Sequence, residues 1–180
     1  MYKKINTLMR VLAAASIGVA GLSTAALSEE DHHGHEGHEW ELGISAGYAN
    51  LKTEEEEGVN LHLHLLKSLG DEGFMKYFSA GFGAEMIRTD ETHYGAMVTL
   101  AYHPVEDLTL SVSPGYEWEK HEDSWESHFA MHYEASYSFD ISESYHIGPV
   151  IGYSKTSEAE HYTVGIHIFL FSKAYYTNLF

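Results

Sequence analysis

The chain has 180 residues and a formal net charge of −17, with 27 acidic residues against 10 lysines and arginines. This acidic balance argues against a nucleic-acid-binding protein, because phosphates require a basic surface. The sequence has no cysteine, which excludes disulfides, thiolate metal ligands and a lipid anchor attached to cysteine. The length suits a single domain.

The first 28 residues have the three parts of a secretory signal peptide. They start with basic residues (Lys3, Lys4 and Arg10), continue with an apolar run over 11–27 and end on small residues at Ser28. We therefore expect 1–28 to be a signal peptide that is removed after Ser28. No later segment reaches 18 apolar residues, so a transmembrane helix is not expected.

Residues 29–39 form a polar, histidine-rich tail with nothing apolar to fold around. Its imidazoles belong to His32, His33, His35 and His38, and the intervening glycines allow them to converge. We expect this tail to be disordered without metal and to bind Zn²⁺, Cu²⁺ or Ni²⁺. The alternative is a solvated polar leader with no ligand.

Residues 40–171 contain eight strand-like runs separated by short turn clusters. The runs cover 40–51, 59–68, 75–88, 93–104, 108–121, 127–140, 145–155 and 161–171. Most have the length that a tilted membrane strand needs. Short turns join neighbouring strands as hairpins, and an even number of strands leaves both ends of the chain on one side. Pro114 and Pro149 fall inside runs, where we expect a lost hydrogen bond without a change of register.

Each run alternates between two kinds of side chain. One face is apolar and aromatic, and the other carries every histidine after Tyr48 together with acidic residues. Since successive side chains of a strand point to opposite faces, an apolar outside and a polar inside predict a membrane barrel. The predicted fold is an all-β, eight-stranded antiparallel up-and-down transmembrane β-barrel. We expect His62, His64, His132 and His167 inside and Leu63, Phe82, Val98 and Ile166 outside.

The last run carries a family resemblance. Residues 163–170, TVGIHIFL, resemble the C-terminal signal of bacterial outer-membrane proteins: polar, any, Gly, two of any kind, hydrophobic, any, hydrophobic. The resemblance implies a small barrel of the OmpA/OmpX type, surrounded by outer-membrane lipid and inserted by the barrel assembly machinery. Residues 172–180 follow as a C-terminal extension, whereas such proteins usually end in an aromatic residue that closes this strand. We expect a monomer with both termini in the periplasm and acidic loops at 52–58, 89–92, 122–126 and 156–160 outside.

The barrel interior, or lumen, is predicted to hold a divalent-metal site. Many inward positions are glycine or serine, which leaves room for water or a small solute. In the outer half, His62, His64, His132 and Glu134, with Glu85 or Glu117 from neighbouring strands, are the candidate ligands. Imidazole and carboxylate suit Zn²⁺ best, and imidazole also suits Cu²⁺ and Ni²⁺. The function that follows is an outer-membrane barrel that binds divalent cations and helps to pass them.

Two other functions remain open at this stage. The first is a structural barrel whose lumen is filled by a histidine–glutamate hydrogen-bond network with no ligand. Against it, no lysine or arginine points clearly inward, so the buried carboxylates need protonated histidine or a bound cation. The second is a lipid-modifying enzyme, which we disfavour because every barrel histidine has inward parity and no Ser–His–acid set marks the outer face. We therefore expect no enzymatic activity.

Overall fold

The computed structural model describes residues 38–105, 107–121, 124–142 and 145–173. The predicted signal peptide, the tail residues His32, His33 and His35, and residues 174–180 lie outside this range. Nine strands follow one another: β1 His38–Leu51, β2 Glu56–Ser68, β3 Phe78–Arg88, β4 Thr92–Val105, β5 Leu108–His121, β6 Ser124–Tyr137, β7 Phe139–Ser142, β8 Tyr145–Lys155 and β9 Glu160–Lys173.

The strands close into one antiparallel barrel. Each strand from β1 to β5 pairs with the next, β8 pairs with β9, and β9 pairs with β1. The pairing of β6 with β8 closes the ring, and β7 continues β6 beyond Ser138 along the same partner. The barrel therefore has eight strands with hairpin connections, which confirms the predicted fold class.

Pro114 and Pro149 coincide with two interruptions of the strand pairing. Pairs between β4 and β5 are missing beside Pro114, and the register is the same on both sides of the gap. Pro149 lies opposite Tyr137, where the pairing of β8 passes from β6 to β7. Because proline has no N–H to donate, each ladder loses a bond while its register persists, as predicted.

Burial alternates along the strands as the sequence predicts. Phe82 is 71% exposed and Val98 54% exposed on the outer face, whereas His64 is 5% exposed and His167 1% exposed inside. The other predicted positions follow the same parity: Leu63 and Ile166 face outward, and His62 and His132 face inward. Among the described residues, no helix is both long enough and apolar enough to span a membrane.

Several strand starts differ from the expected ones. β1 begins at His38, β2 at Glu56 and β6 at Ser124, each two or three residues before the predicted runs at 40, 59 and 127. Residues Met75–Tyr77 form a 3₁₀ turn instead of the start of β3. Gly73, shortly before this turn, has a φ of 66°, a left-handed conformation that glycine tolerates. The turn takes the place of the first three residues of the predicted strand.

The barrel has two different ends. The connections at 52–55, 89–91 and 156–159, the end of β5 and the start of β6 lie at one end, called here the loop end. The start of β1 and the end of β9 lie at the opposite end, called here the terminal end.

Candidate metal centre

Glycines in the lumen accommodate large neighbouring side chains. A Cβ added to Gly43 would collide with the rings of His64 and His167. A Cβ added to Gly83 would lie 2.9 Å from Cγ of Met97. The small residues therefore do not leave a continuous channel, because longer side chains from adjacent strands fill the space that they vacate.

Two cavities lie in the lumen near the ligand residues. One of about 210 Å³ opens at the loop end, and a second, deeper in the barrel, has only about 20 Å³, roughly room for one water. The residues that line the larger cavity include Glu54, His93, Glu117, Glu119, His128 and His161. The larger of the two cavities therefore opens at the loop end.

Four side chains from four strands meet between the two cavities: Glu117 and His161 line the larger one, and Glu85, His132 and His161 line the smaller one. Glu85 of β3, Glu117 of β5, His132 of β6 and His161 of β9 each offer one ligand atom, and these atoms lie within 4.8 Å of one another. We call this group the inner cluster. Oε2 of Glu85 is 3.4 Å from Nδ1 of His132 and 3.7 Å from Nε2 of His161. Two ligands of one tetrahedral zinc ion are about 3.3 Å apart, so the separations approach those of a shared ion.

Neighbouring side chains orient the inner cluster. Oγ of Ser154 donates a hydrogen bond of 2.8 Å to Oε1 of Glu117, and Nδ2 of Asn60 donates one to Oε1 of Glu85. Oε1 of Glu117 is also 3.1 Å from Nε2 of His132. A proton on that nitrogen leaves the lone pair of Nδ1 directed at Glu85, which is how a carboxylate prepares a histidine for metal binding.

Histidine is the cationic partner available to these carboxylates. Every lysine and arginine side chain that the structure describes is exposed: Lys52, Lys67, Lys76, Arg88, Lys120 and Lys155. The side chains of Glu85 and Glu117 are 8% and 11% exposed. Because an uncompensated buried carboxylate is costly, the inner cluster requires protonated imidazole or a bound cation.

His161 has the features of a ligand that sequence reasoning did not select. The residue is 5% exposed, and its Nε2 forms no hydrogen bond with any described residue. Its inward parity at the start of β9 was visible in the sequence. Its position along the barrel axis relative to Glu85 was not visible, because that position depends on the stagger between the strands of a closed barrel.

The other predicted lumen ligands lie deeper and in separate pairs. Nδ1 of His62 is 3.1 Å from Oε2 of Glu134, across the lumen, and Nε2 of His64 is 3.1 Å from Oε1 of Glu41. Of the predicted set, the structure thus brings together Glu85, Glu117 and His132 but not His62, His64 and Glu134. Residues two apart on a strand are separated by about 6.6 Å, too far to share one ion easily.

The terminal half of the lumen is filled. The ring of His167 stacks on that of Phe169 with centroids 3.8 Å apart, and the ring of His64 lies 4.8 Å from that of His167. Phe169 and Leu66 are 2% and 1% exposed. Of the tail histidines, only His38 is placed: its backbone begins β1 at the terminal end.

Comparison with known proteins identifies the fold. No family model matches the chain, and no curated protein matches its sequence. Among solved structures, it resembles Neisserial surface protein A (NspA) with a TM-score of 0.56 and 8% identity, covering 73% of this chain and 95% of that one. It also resembles the N-terminal β-barrel domain of Pseudomonas aeruginosa OprF with a TM-score of 0.53 and 12% identity, covering 76% and 99%. The chain has the fold of the small outer-membrane β-barrels.

Proposed function

We propose that this protein is an outer-membrane barrel that binds a divalent transition-metal cation, Zn²⁺ first, at the inner cluster. Glu85, Nδ1 of His132 and Nε2 of His161 are the ligands, and Glu117 orients His132. The observation that carries the proposal is the convergence of ligand atoms from these four side chains within 4.8 Å, between the loop-end cavity, which Glu117 and His161 line, and the smaller cavity, which Glu85, His132 and His161 line.

The outer surface supports placement in a membrane. Large apolar side chains with high exposure, such as Phe82 at 71% and Ile151 at 59%, would face water in a soluble protein. Lipid is the solvent that stabilises such a surface around a closed barrel. In this proposal the protein is a monomer in the bacterial outer membrane, inserted by the barrel assembly machinery, with its termini in the periplasm and its loop end outside.

The donor set favours zinc among the divalent cations. Two imidazoles and one carboxylate, with a fourth position left to water from the cavity, match the three-ligand sites that zinc occupies with nitrogen and oxygen donors. Copper and nickel also accept imidazole, and Cu²⁺ generally binds nitrogen ligands more tightly than Zn²⁺ does. Competition between the three ions during titration therefore decides which one the site prefers.

The filled terminal half supports binding in preference to passage. Beneath the inner cluster, His167, Phe169 and Leu66 occupy the lumen and are almost fully buried. A cation that reaches Glu85 from the loop-end cavity meets side chains beyond it, with only about 20 Å³ of free space. The proposed activity is therefore reversible binding from the loop end.

A purely structural lumen accounts for the deeper pairs but not for the inner cluster. His64 and Glu41 are within hydrogen-bonding distance of each other, as a ligand-free network requires. Nε2 of His161 forms no such bond with the described residues. Because a buried polar atom without a partner costs free energy, an additional ligand would stabilise this site.

Calorimetric titration of the refolded full-length chain tests the proposal. The tail histidines are first removed by a fourfold substitution to alanine of His32, His33, His35 and His38. In that background we expect a tight Zn²⁺ site that is lost in the double variant His132→Ala/His161→Ala.

The matched control is His103→Ala, a lumen histidine at the terminal end that hydrogen-bonds Ser79 and Thr109. It should bind Zn²⁺ as its parent does. Equal Zn²⁺ affinity in the His132→Ala/His161→Ala variant and in its parent would refute the proposal, provided that both migrate as folded, heat-modifiable barrels.

The tail is a separate part of the proposal. Four imidazoles lie within residues 32–38, and the glycines between them would allow convergence on one ion. We expect one equivalent of Zn²⁺, Cu²⁺ or Ni²⁺ to shift or broaden the NMR signals of His32, His33, His35 and His38 in the full-length chain. Signals that stay unmoved while the lumen site takes up metal would refute the role of the tail alone.

A further inference from the structure

A second group of potential ligands lies above the inner cluster in the same cavity. Glu54 from the β1–β2 connection, His93 of β4 and Glu119 of β5 offer ligand atoms within 4.8 Å of one another. We call this group the outer cluster. Nε2 of His93 is 3.6 Å from Oε2 of Glu54 and 3.7 Å from Oε1 of Glu119.

His93 provides the observation that points to a ligand. The residue is 8% exposed and lines the cavity, and its buried Nε2 forms no hydrogen bond with any described residue. Its two carboxylate neighbours are beyond good hydrogen-bonding distance. Separations of 3.6 and 3.7 Å are instead close to the distance of about 3.3 Å between two ligands of one tetrahedral ion.

We propose that the outer cluster is a second divalent-cation site, placed in series with the inner cluster along the loop-end cavity. The same cavity is lined by His93 and Glu119 of the outer cluster and by Glu117 and His161 of the inner cluster, so one ion can reach either. The class of cation rests on the proposed function, whereas the ligands of this second site are different residues.

The two sites differ in strength because their donors differ. The inner cluster has two imidazoles, whereas the outer cluster has one imidazole and two carboxylates, a harder set that transition metals hold less tightly. Glu54 also belongs to a connection, and its side chain is 29% exposed, so solvent competes for this ligand. The inner site therefore fills first and the outer site second.

Zn²⁺ titration of the full-length chain without the four tail histidines measures the number of bound ions. Two ions are expected in this parent protein and one in His93→Ala. Since His93→Ala could disturb the rim, Glu119→Gln provides a second variant of nearly the same shape, and it should also lose the weaker ion. His103→Ala, at the terminal end of the lumen, is the control and should retain both ions. His128→Ala tests the third group of ligand atoms within 4.8 Å of one another, those of Glu126, His128 and Glu158, and it should also retain both ions.

The outcomes separate this inference from the proposed function. One ion in the parent that persists in both His93→Ala and Glu119→Gln, or two ions in both of these variants, refutes the outer site and leaves the inner site standing. Loss of the second ion in His128→Ala but not in His93→Ala also refutes it. A different result would reverse this outcome. If the parent binds a single ion that depends on His93, and His132→Ala/His161→Ala still binds it, the proposed function fails and the outer site stands.

Discussion

The two halves of the lumen use the same residue types with different results. In the terminal half, His64 pairs with Glu41 at 3.1 Å, and the ring of His167 stacks on that of Phe169. In the loop half, Oε2 of Glu85 is 3.4 Å from His132 and 3.7 Å from His161, and His161 lines a cavity of about 210 Å³. Side chains thus fill the space around the imidazoles in the terminal half, whereas the loop half has wider-spaced ligand atoms beside a cavity.

This difference shows that composition alone does not make a binding site. Paired groups at hydrogen-bonding distance have little to gain from a ligand, because a metal must first displace the proton that joins them. Buried polar groups that are too far apart to hydrogen-bond with one another would gain a partner from a bound ion. The loop half therefore has the properties of a site, and the terminal half those of a filling.

Removing one carboxylate from each half should produce the largest contrast. Glu85→Gln removes the charge at the centre of the inner cluster, and we expect Zn²⁺ affinity to fall by roughly 100-fold or more, beyond the loss of an outer-shell partner. Glu41→Gln removes the corresponding charge from the terminal half and should leave Zn²⁺ affinity unchanged. Calorimetry in the background without tail histidines measures both, and a loss of affinity in Glu41→Gln alone would reverse the assignment of the two halves.

Acid should weaken Zn²⁺ binding in the loop half. Only neutral imidazole binds metal, so protonation competes with the ion at both His132 and His161. Zn²⁺ affinity should therefore be lower at pH 5.5 than at pH 7.5. Titrations at the two values check this. An affinity that does not change with pH would show that the ion is held by carboxylates without imidazole.

Glu117→Gln should have a smaller effect than Glu85→Gln. In our account Glu117 orients His132 without binding the ion, and loss of such an outer-shell partner costs 10–100-fold in affinity. The expected loss is about 10-fold, with the number of bound ions unchanged. If Glu117→Gln were as damaging as Glu85→Gln in the same titration, Glu117 would have to be counted as a ligand.

Gly43→Ala tests the filled half through stability. The added Cβ would displace the rings of His64 and His167, and overpacking of this kind costs about 1–3 kcal/mol in the free energy of unfolding. Zn²⁺ affinity should not change. Gly95→Ala is the matched control for stability, because its Cβ would lie 3.4 Å from the nearest heavy atoms. Equal urea midpoints for the two variants would contradict tight packing around Gly43.

The fold was predictable because parity is a local property. Alternation along each run fixes which side chains face inward, and the structure confirms it for His62, His64, Leu63 and Phe82. Pro114 was predicted correctly for the same reason, since the loss of one donor does not depend on distant strands. The 3₁₀ turn at Met75–Tyr77 was missed, because its apolar and polar residues alternate like those of the adjoining strand.

The site was only partly predictable. Alternation along a strand tells which side chains point into the lumen, but not where along the barrel axis they lie. Glu85, Glu117 and His132 were selected and do meet, whereas His62 and His64 were grouped with them on sequence spacing. In a closed barrel the strands are staggered, so residues that meet across the lumen are set by the shear of the whole sheet. This stagger brings His161 of β9 to Glu85 of β3, a contact that no single run reveals.

Anomalous diffraction at the zinc edge from crystals of the Zn²⁺-loaded full-length protein tests the central claim most directly. We expect a strong peak within about 2.0–2.2 Å of a carboxylate oxygen of Glu85, Nδ1 of His132 and Nε2 of His161. A lumen without any zinc peak, or a peak held by His62, His64 and Glu134 instead, would contradict the assignment of the metal site to the loop half.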